Sequence, residues 1–81
     1  MDKNEIWEKM MEICRDVFEN DELILTEQTC AADVEEWDSL THLTLISDLE
    51  EEFEISFTLA EISETKDLGG LLQAVMRHLA A

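Results

Sequence analysis

The chain has 81 residues, of which 21 are acidic and five are Lys or Arg, for a formal net charge of −16. That length allows one small domain, here spanning residues 1–81, and so acidic a surface argues against nucleic-acid binding and against binding to anionic lipid. A hydrophobic content of 46% nevertheless supplies enough apolar material for a core.

Apolar runs stop at three residues, as in Leu23-Ile24-Leu25, which excludes a membrane-spanning stretch. The opening Asp2-Lys3-Asn4-Glu5 lacks the basic and apolar regions of a leader, so the cytoplasm is the expected location. Cys14 and Cys30, with His42 and His78 far apart, form neither a disulfide framework nor a zinc spacing and read as reduced thiols. Pro is absent and Gly occurs only at Gly69-Gly70, a composition that favours helices over sheets.

A first helix is predicted from about Asp2 to Glu19. Ile6, Met10, Ile13 and Val17 share one face, widened by Trp7, Met11, Cys14 and Phe18, while Glu5, Glu8, Lys9, Glu12, Arg15, Asp16 and Glu19 take the other. From Asn20 to Asp38 neither period holds, and an irregular connection of that length reads as a functional loop. Leu23, Leu25, Val34 and Trp37 are its predicted anchors, with a partner contact as the second reading of Trp37.

A second helix begins at Asp38 or Ser39 and ends near Phe53, with Asp38 as its N-cap. Leu43, Leu45, Ile46, Leu49 and Phe53 form its predicted buried stripe. Leu40 falls on the opposite side with Thr44, Ser47, Asp48 and Glu51, which marks that face for docking. A short third helix follows Ile55 and Phe57. Its start, Thr58-Leu59-Ala60-Glu61, fits a capping box, with Leu59 and Ile62 facing inward. The fourth helix runs from about Asp67 to Leu79 with Thr65 as its cap, and its stripe is Leu68, Leu71, Leu72, Val75, Met76 and Leu79. Gly69 and Gly70 would each cost about 1 kcal/mol in mid-helix; near the start they cost less or allow a close approach. The predicted fold is all-α: a small four-helix bundle of three long helices and one short, with a long loop between helices 1 and 2.

The inventory for catalysis is thin. Ser39 and His42 lie three apart on one helix, but His42 projects toward the buried stripe and has no evident orienting partner, so it reads as a packed histidine. His78 is placed to complement the C-terminal end of the last helix. A calcium loop starting at Asp48 would put Phe53 where Gly is needed and Leu59 at the twelfth position, so no metal site is expected. What remains is Asp38-Ser39-Leu40: an exposed hydroxyl at a helix start, where backbone N–H groups and the positive helix end suit an attached phosphate.

Trp37-Asp38-Ser39-Leu40, followed by Leu43, Leu45, Ile46 and then Leu49-Glu50-Glu51-Glu52-Phe53-Glu54-Ile55, resembles the acyl carrier protein family. The likeness extends from the first helix to the last. It implies a carrier and not an enzyme, with no catalytic residue. Ser39 would receive 4′-phosphopantetheine from coenzyme A through a separate phosphopantetheinyl transferase using magnesium, and the arm's thiol would hold acyl groups as thioesters. Asp38 would support the modification site. Leu40, Trp37, Thr44, Asp48 and Glu51 would meet apolar and basic surfaces of a loading ligase or synthase and of downstream enzymes, with the carrier a monomer.

Glu36 and Trp37 replace smaller residues of the fatty-acid carriers, Thr44 replaces an acid, Glu54 stands where Gly or Asp is common, and Ile55-Ser56-Phe57 follows early. These departures favour a stand-alone carrier of a specialised acyl or polyketide pathway over primary fatty-acid synthesis. The alternatives are an aminoacyl or D-alanyl (peptidyl-type) carrier and an acidic helical interaction module without the arm.

Overall fold

The computed structural model describes residues 2–65 and 67–80. The described residues form four helices, α1 (Lys3–Val17), α2 (Ser39–Phe53), α3 (Leu59–Glu64) and α4 (Leu68–Ala80), with a 3-10 turn over Ala31–Asp33 inside the long connection. No strand occurs among the described residues, and a single isolated bridge joins Cys30 to Asp67. The all-α bundle expected from the periodicity is therefore the observed fold.

Each helix start follows from local chemistry. The first N–H groups of a helix have no partner within it, and a side-chain oxygen just upstream can supply one. Asp2 does so for α1, accepting from Glu5 N–H at 2.9 Å. Thr58 and Glu61 form the predicted reciprocal box on α3, at 3.1 and 2.9 Å. At α4 the cap is Asp67, whose Oδ1 accepts from Gly70 N–H at 2.7 Å, and not Thr65 as expected. Thr65 is turned the other way: its hydroxyl donates to the Glu61 carbonyl, closing α3.

The core is built from α1, α2 and α4, with Met10, Cys14, Leu45, Leu49, Leu68, Leu71, Leu72 and Val75 fully buried. Burial pushes the Cys14 thiol up to about 12, with the Arg15 charge opposing, so Cys14 behaves as a small hydrophobe. Val34 and Trp37 anchor the loop in the core, and Leu23 and Leu25 pack partly against it.

Three apolar assignments need correction. Leu43 is 59% exposed, because it falls roughly 100° round the helix from the axis shared by Leu45, Ile46, Leu49 and Phe53. Leu59 is 83% exposed: Phe57 takes the inward position, and the six-residue α3 sends only Ile62 against the core. Leu79, near the end of α4, remains 39% exposed.

The loop is held to α4 by backbone chemistry that periodicity does not report. Leu68 N–H donates to the Thr29 carbonyl at 3.0 Å and Gly69 N–H to the Glu27 carbonyl at 2.8 Å. With Gly70 on Asp67, the first-turn donors of α4 are satisfied by the loop and the cap together. At the other end, Asn20 Nδ2 donates to Glu36 at 3.1 Å, tying the start of the loop to its finish.

Candidate functional site

Asp38 caps α2 from an extended backbone, its Oδ1 accepting from Thr41 N–H at 2.9 Å. Thr41 returns the bond, its hydroxyl accepting from Asp38 N–H at 2.8 Å and donating to the Glu36 carbonyl at 2.8 Å. The Thr41 N–H, with smaller contributions from its hydroxyl and from Leu40 N–H, holds the Asp38 carboxyl below the usual range, so it stays ionised and fixed on the helix.

Ser39 is therefore the first residue of α2, exposed, on a backbone clamped from both sides. Among the described residues its hydroxyl makes no side-chain hydrogen bond. It opens on a cleft of about 620 Å³. It is lined by Ala31 and Ala32 of the 3-10 turn, Ile62 and Ser63 of α3, Trp37 at the end of the loop, and Ser39 and His42 on α2. Cys30 lies at the edge, its thiol on Asp33 at 3.4 Å.

Trp37, one reading of which was a partner contact, is only 5% exposed and is corrected to a loop anchor. Its ring meets Phe18 at 5.7 Å, and its indole N–H donates to His42 Nδ1 at 3.1 Å. That bond also corrects the expectation that His42 has no orienting partner. Periodicity places His42 on the inner side of α2 but carries no information about a group arriving from the loop, so sequence reasoning missed both the pair and the cleft that it lines.

Leu40 is 74% exposed, and with Leu43 it gives the start of α2 an apolar surface. Thr44 is exposed and donates to the Leu40 carbonyl at 3.1 Å. Asp48 and Glu51 lie farther along and, with Asp16, Glu52 and Ile13, line an acidic notch between α1 and α2. The chain has no Lys or Arg between Arg15 and Lys66. An apolar patch beside Ser39 thus grades into a carboxylate surface along one helix. No group of three or more ligating side chains suited to a metal ion occurs among the described residues.

His78 does more than complement a helix end. Its Nε2 lies 2.8 Å from Glu61 Oε1, joining α4 to α3, with Arg77 at 3.7 Å from the same carboxylate. The Thr58 N–H first, and then His78, hold the Glu61 carboxyl below its usual range.

The fold recurs in solved structures. The holo acyl carrier protein of Geobacter metallireducens, determined by solution NMR, is 40% identical and superposes with a TM-score of 0.85 over 90% of this chain and 84% of that one. A candidate acyl carrier protein of Mycobacterium tuberculosis shares the fold at a TM-score of 0.82 and 22% identity, over 89% of this chain and 96% of that one. No family model and no curated protein matches the chain. An identity of 40% over nine-tenths of the chain, on the same bundle, places this protein in the acyl carrier protein family, as a carrier and not an enzyme.

Proposed function

We propose that Ser39 is esterified by 4′-phosphopantetheine and that the protein delivers acyl groups to the enzymes of a specialised acyl or polyketide pathway. The observation that carries this reading is the exposed Ser39 hydroxyl at the first position of α2, beside an open cleft and with no competing side-chain hydrogen bond among the described residues. The residues fit the group. A phosphodiester at that oxygen would meet the positive end of a fifteen-residue helix, while the Asp38 carboxylate is turned onto Thr41 N–H.

When bound, the arm supplies a thiol that carries acyl groups as thioesters. The chain's own residues do the rest. Asp38 and Thr41 hold the α2 start rigid for the modifying transferase. Leu40 and Leu43 offer apolar contact, and Thr44, Asp48 and Glu51 extend the surface toward basic partner faces. Charge of one sign steers such encounters and raises their rate, an effect that falls with ionic strength.

The test is intact-mass spectrometry after incubation with coenzyme A, magnesium and a permissive phosphopantetheinyl transferase. One added arm is expected on the wild-type chain and none on Ser39→Ala. No addition, or addition that survives Ser39→Ala, removes the reading. With the arm in place, replacing Leu40 by Ala should slow acyl loading by a basic-faced ligase while leaving the thermal midpoint unchanged.

A further inference from the structure

We infer that the Trp37–His42 hydrogen bond is a titratable staple across the cap of α2, and that His42, as the neutral imidazole, is a positioning residue for the modification of Ser39. This rests on the attachment reading above and deepens it from the anchoring oxygen to the contact that presents it.

Asp38 is the N-cap of α2 and Ser39 its first residue. A staple joins the residue before a cap to the fourth residue of the helix and so fixes the angle at which the chain enters. Those two positions are Trp37 and His42. Ordinarily such a pair is hydrophobic and indifferent to pH. Here it is a hydrogen bond of 3.1 Å from the indole nitrogen to His42 Nδ1, between rings 5.9 Å apart with planes at 25°. The Trp37 side is fixed: its ring is buried against Phe18, and its backbone N–H donates to the Val34 carbonyl at 3.1 Å. Asp38 and Thr41 are bonded to each other inside the staple, so the helix start is closed twice over Ser39.

An indole N–H only donates, so Nδ1 must accept and carries no proton while the bond is made. Protonating the ring turns Nδ1 into a second donor that faces the first. The bond is then lost and the indole N–H is left without its partner, which lowers the ratio of closed to open staple by roughly fivefold. His42 is half-buried, so water reaches the ring. Of titratable groups, Cys30 and Asp38 share its cleft and Asp33 lies 3.4 Å from the Cys30 thiol; the α3 side chains there are uncharged, and no Lys or Arg lines it. The Asp38–Thr41 closure survives the same change, because the Asp38 carboxyl is held below the usual range and stays ionised. In the transfer, Ser39 Oγ bonds to the coenzyme A phosphorus nearer the pantetheine. Adenosine bisphosphate leaves with the electron pair of the broken P–O bond, and the hydroxyl proton passes to the transferase. His42 acts before these steps, by raising the fraction of carrier whose helix start already has the form that the transferase binds. Its loss therefore raises KM and spares kcat.

The experiment titrates isotope-labelled apo protein by NMR from about pH 8 to about pH 5 and measures transfer from coenzyme A at the same pH values. The Trp37 indole N–H and the Ser39 amide should shift together with the His42 ring nitrogens, and the Trp7 indole should not. His42→Asn sets a non-titrating amide oxygen in the place of Nδ1, with His42→Gln as its substitute if it does not melt cooperatively; His42→Phe keeps a ring but has no acceptor. Dividing each rate by that of His42→Asn at the same pH removes the transferase's own pH dependence. The wild-type quotient should be about one at high pH and fall roughly fivefold, through KM, as the imidazole protonates. The His42→Phe quotient should be low at every pH, and melting establishes that the variant is folded. A wild-type quotient that is flat through the ring titration overturns the inference, as does a His42→Phe that equals His42→Asn. So do a loss in kcat at constant KM and a Trp37 indole that ignores the ring. Absence of the added mass at Ser39 in every variant would instead defeat the attachment reading, with the NMR titration still deciding whether the staple opens.

Discussion

Gly69 is the position where helix propensity and tertiary structure make opposite predictions. It lies in the first turn of α4, where exchanging Gly for Ala ordinarily gains up to about 1 kcal/mol of helix stability. A Cβ built there would stand 2.8 Å from the Glu27 carbonyl oxygen and 3.1 Å from Glu27 Cβ. The first of these is backbone, and the Gly69 N–H already donates to that same oxygen at 2.8 Å, so the loop must move for the methyl to enter. Overpacking of this kind costs about 1–3 kcal/mol, which leaves Gly69→Ala destabilised by about 1–2 kcal/mol after the propensity gain. For a domain of this size that is a fall of roughly 5–15 °C in the thermal midpoint. Gly70 is the internal control. Its Cβ would meet Asp67 Oδ1 and Thr65 Cγ2 at 3.3 Å, two side-chain ends that can give, so Gly70→Ala should gain a few tenths of a kcal/mol, less than about 1. Thermal melts by circular dichroism measure both. If Gly69→Ala gains stability as Gly70→Ala does, the close approach of loop and helix does not govern the site and the account of the loop's anchoring is refuted.

The charge makes a second prediction. Among the described residues ion pairs engage only Glu27, Glu52 and Glu61, so added salt, which screens repulsion over about 10 Å at 0.1 M, should raise the thermal midpoint. A flat melting response to sodium chloride or magnesium would show that the acids are too dispersed to matter. Glu54 ends α2 in the left-handed region, φ 55° and ψ 48°. Glu54→Gly should therefore be about 1 kcal/mol more stable than Glu54→Ala, since both remove the charge and only Gly relieves the backbone; equal denaturation midpoints would refute this. Glu61 is held below the ordinary glutamate value of 4.5, so its bonds to Thr58 and His78 contribute stability above that pH and lose it as pH falls through the lowered value. The stability difference between wild type and Glu61→Gln should shrink across that acidic window, and a difference independent of pH there would contradict the ionised bond.

The long helices were legible because each buries one continuous stripe, and a period of 3.6 residues records that directly. The same logic failed for Leu43 and Leu59. Both are large and apolar near a predicted stripe, but burial also requires an opposing surface, and the neighbouring elements provide none. The Asp38 and Thr58 caps were legible because a cap and its partners lie within a few residues of one another. Thr65 lost the cap of α4 to Asp67, since the choice between two nearby oxygens depends on where the chain turns. Least legible were the contacts that leave the helical period: Glu27 on Gly69 and Glu61 on His78 join distant segments, and Trp37 reaches His42 from the loop across the start of α2, so the sequence shows the members but not the meeting.

Those distant contacts matter because α3 has no fully buried residue and yet forms one wall of the cleft beside Ser39. Hydrophobic burial fixes that wall only at Phe57, just before the helix, and through the partial burial of Ile62. Polar ties do the rest: Glu50 accepting from Phe57 N–H at 2.9 Å just before the helix, the Thr58–Glu61 box at its start, and the Glu61–His78 pair across to α4. Such ties, part-exposed and individually modest, set the width of an opening that lies between the 3-10 turn, the start of α2 and α3. The core thus holds the attachment helix rigid, while the wall opposite rests on a few part-exposed polar ties, so perturbations that spare the core should alter the cleft first.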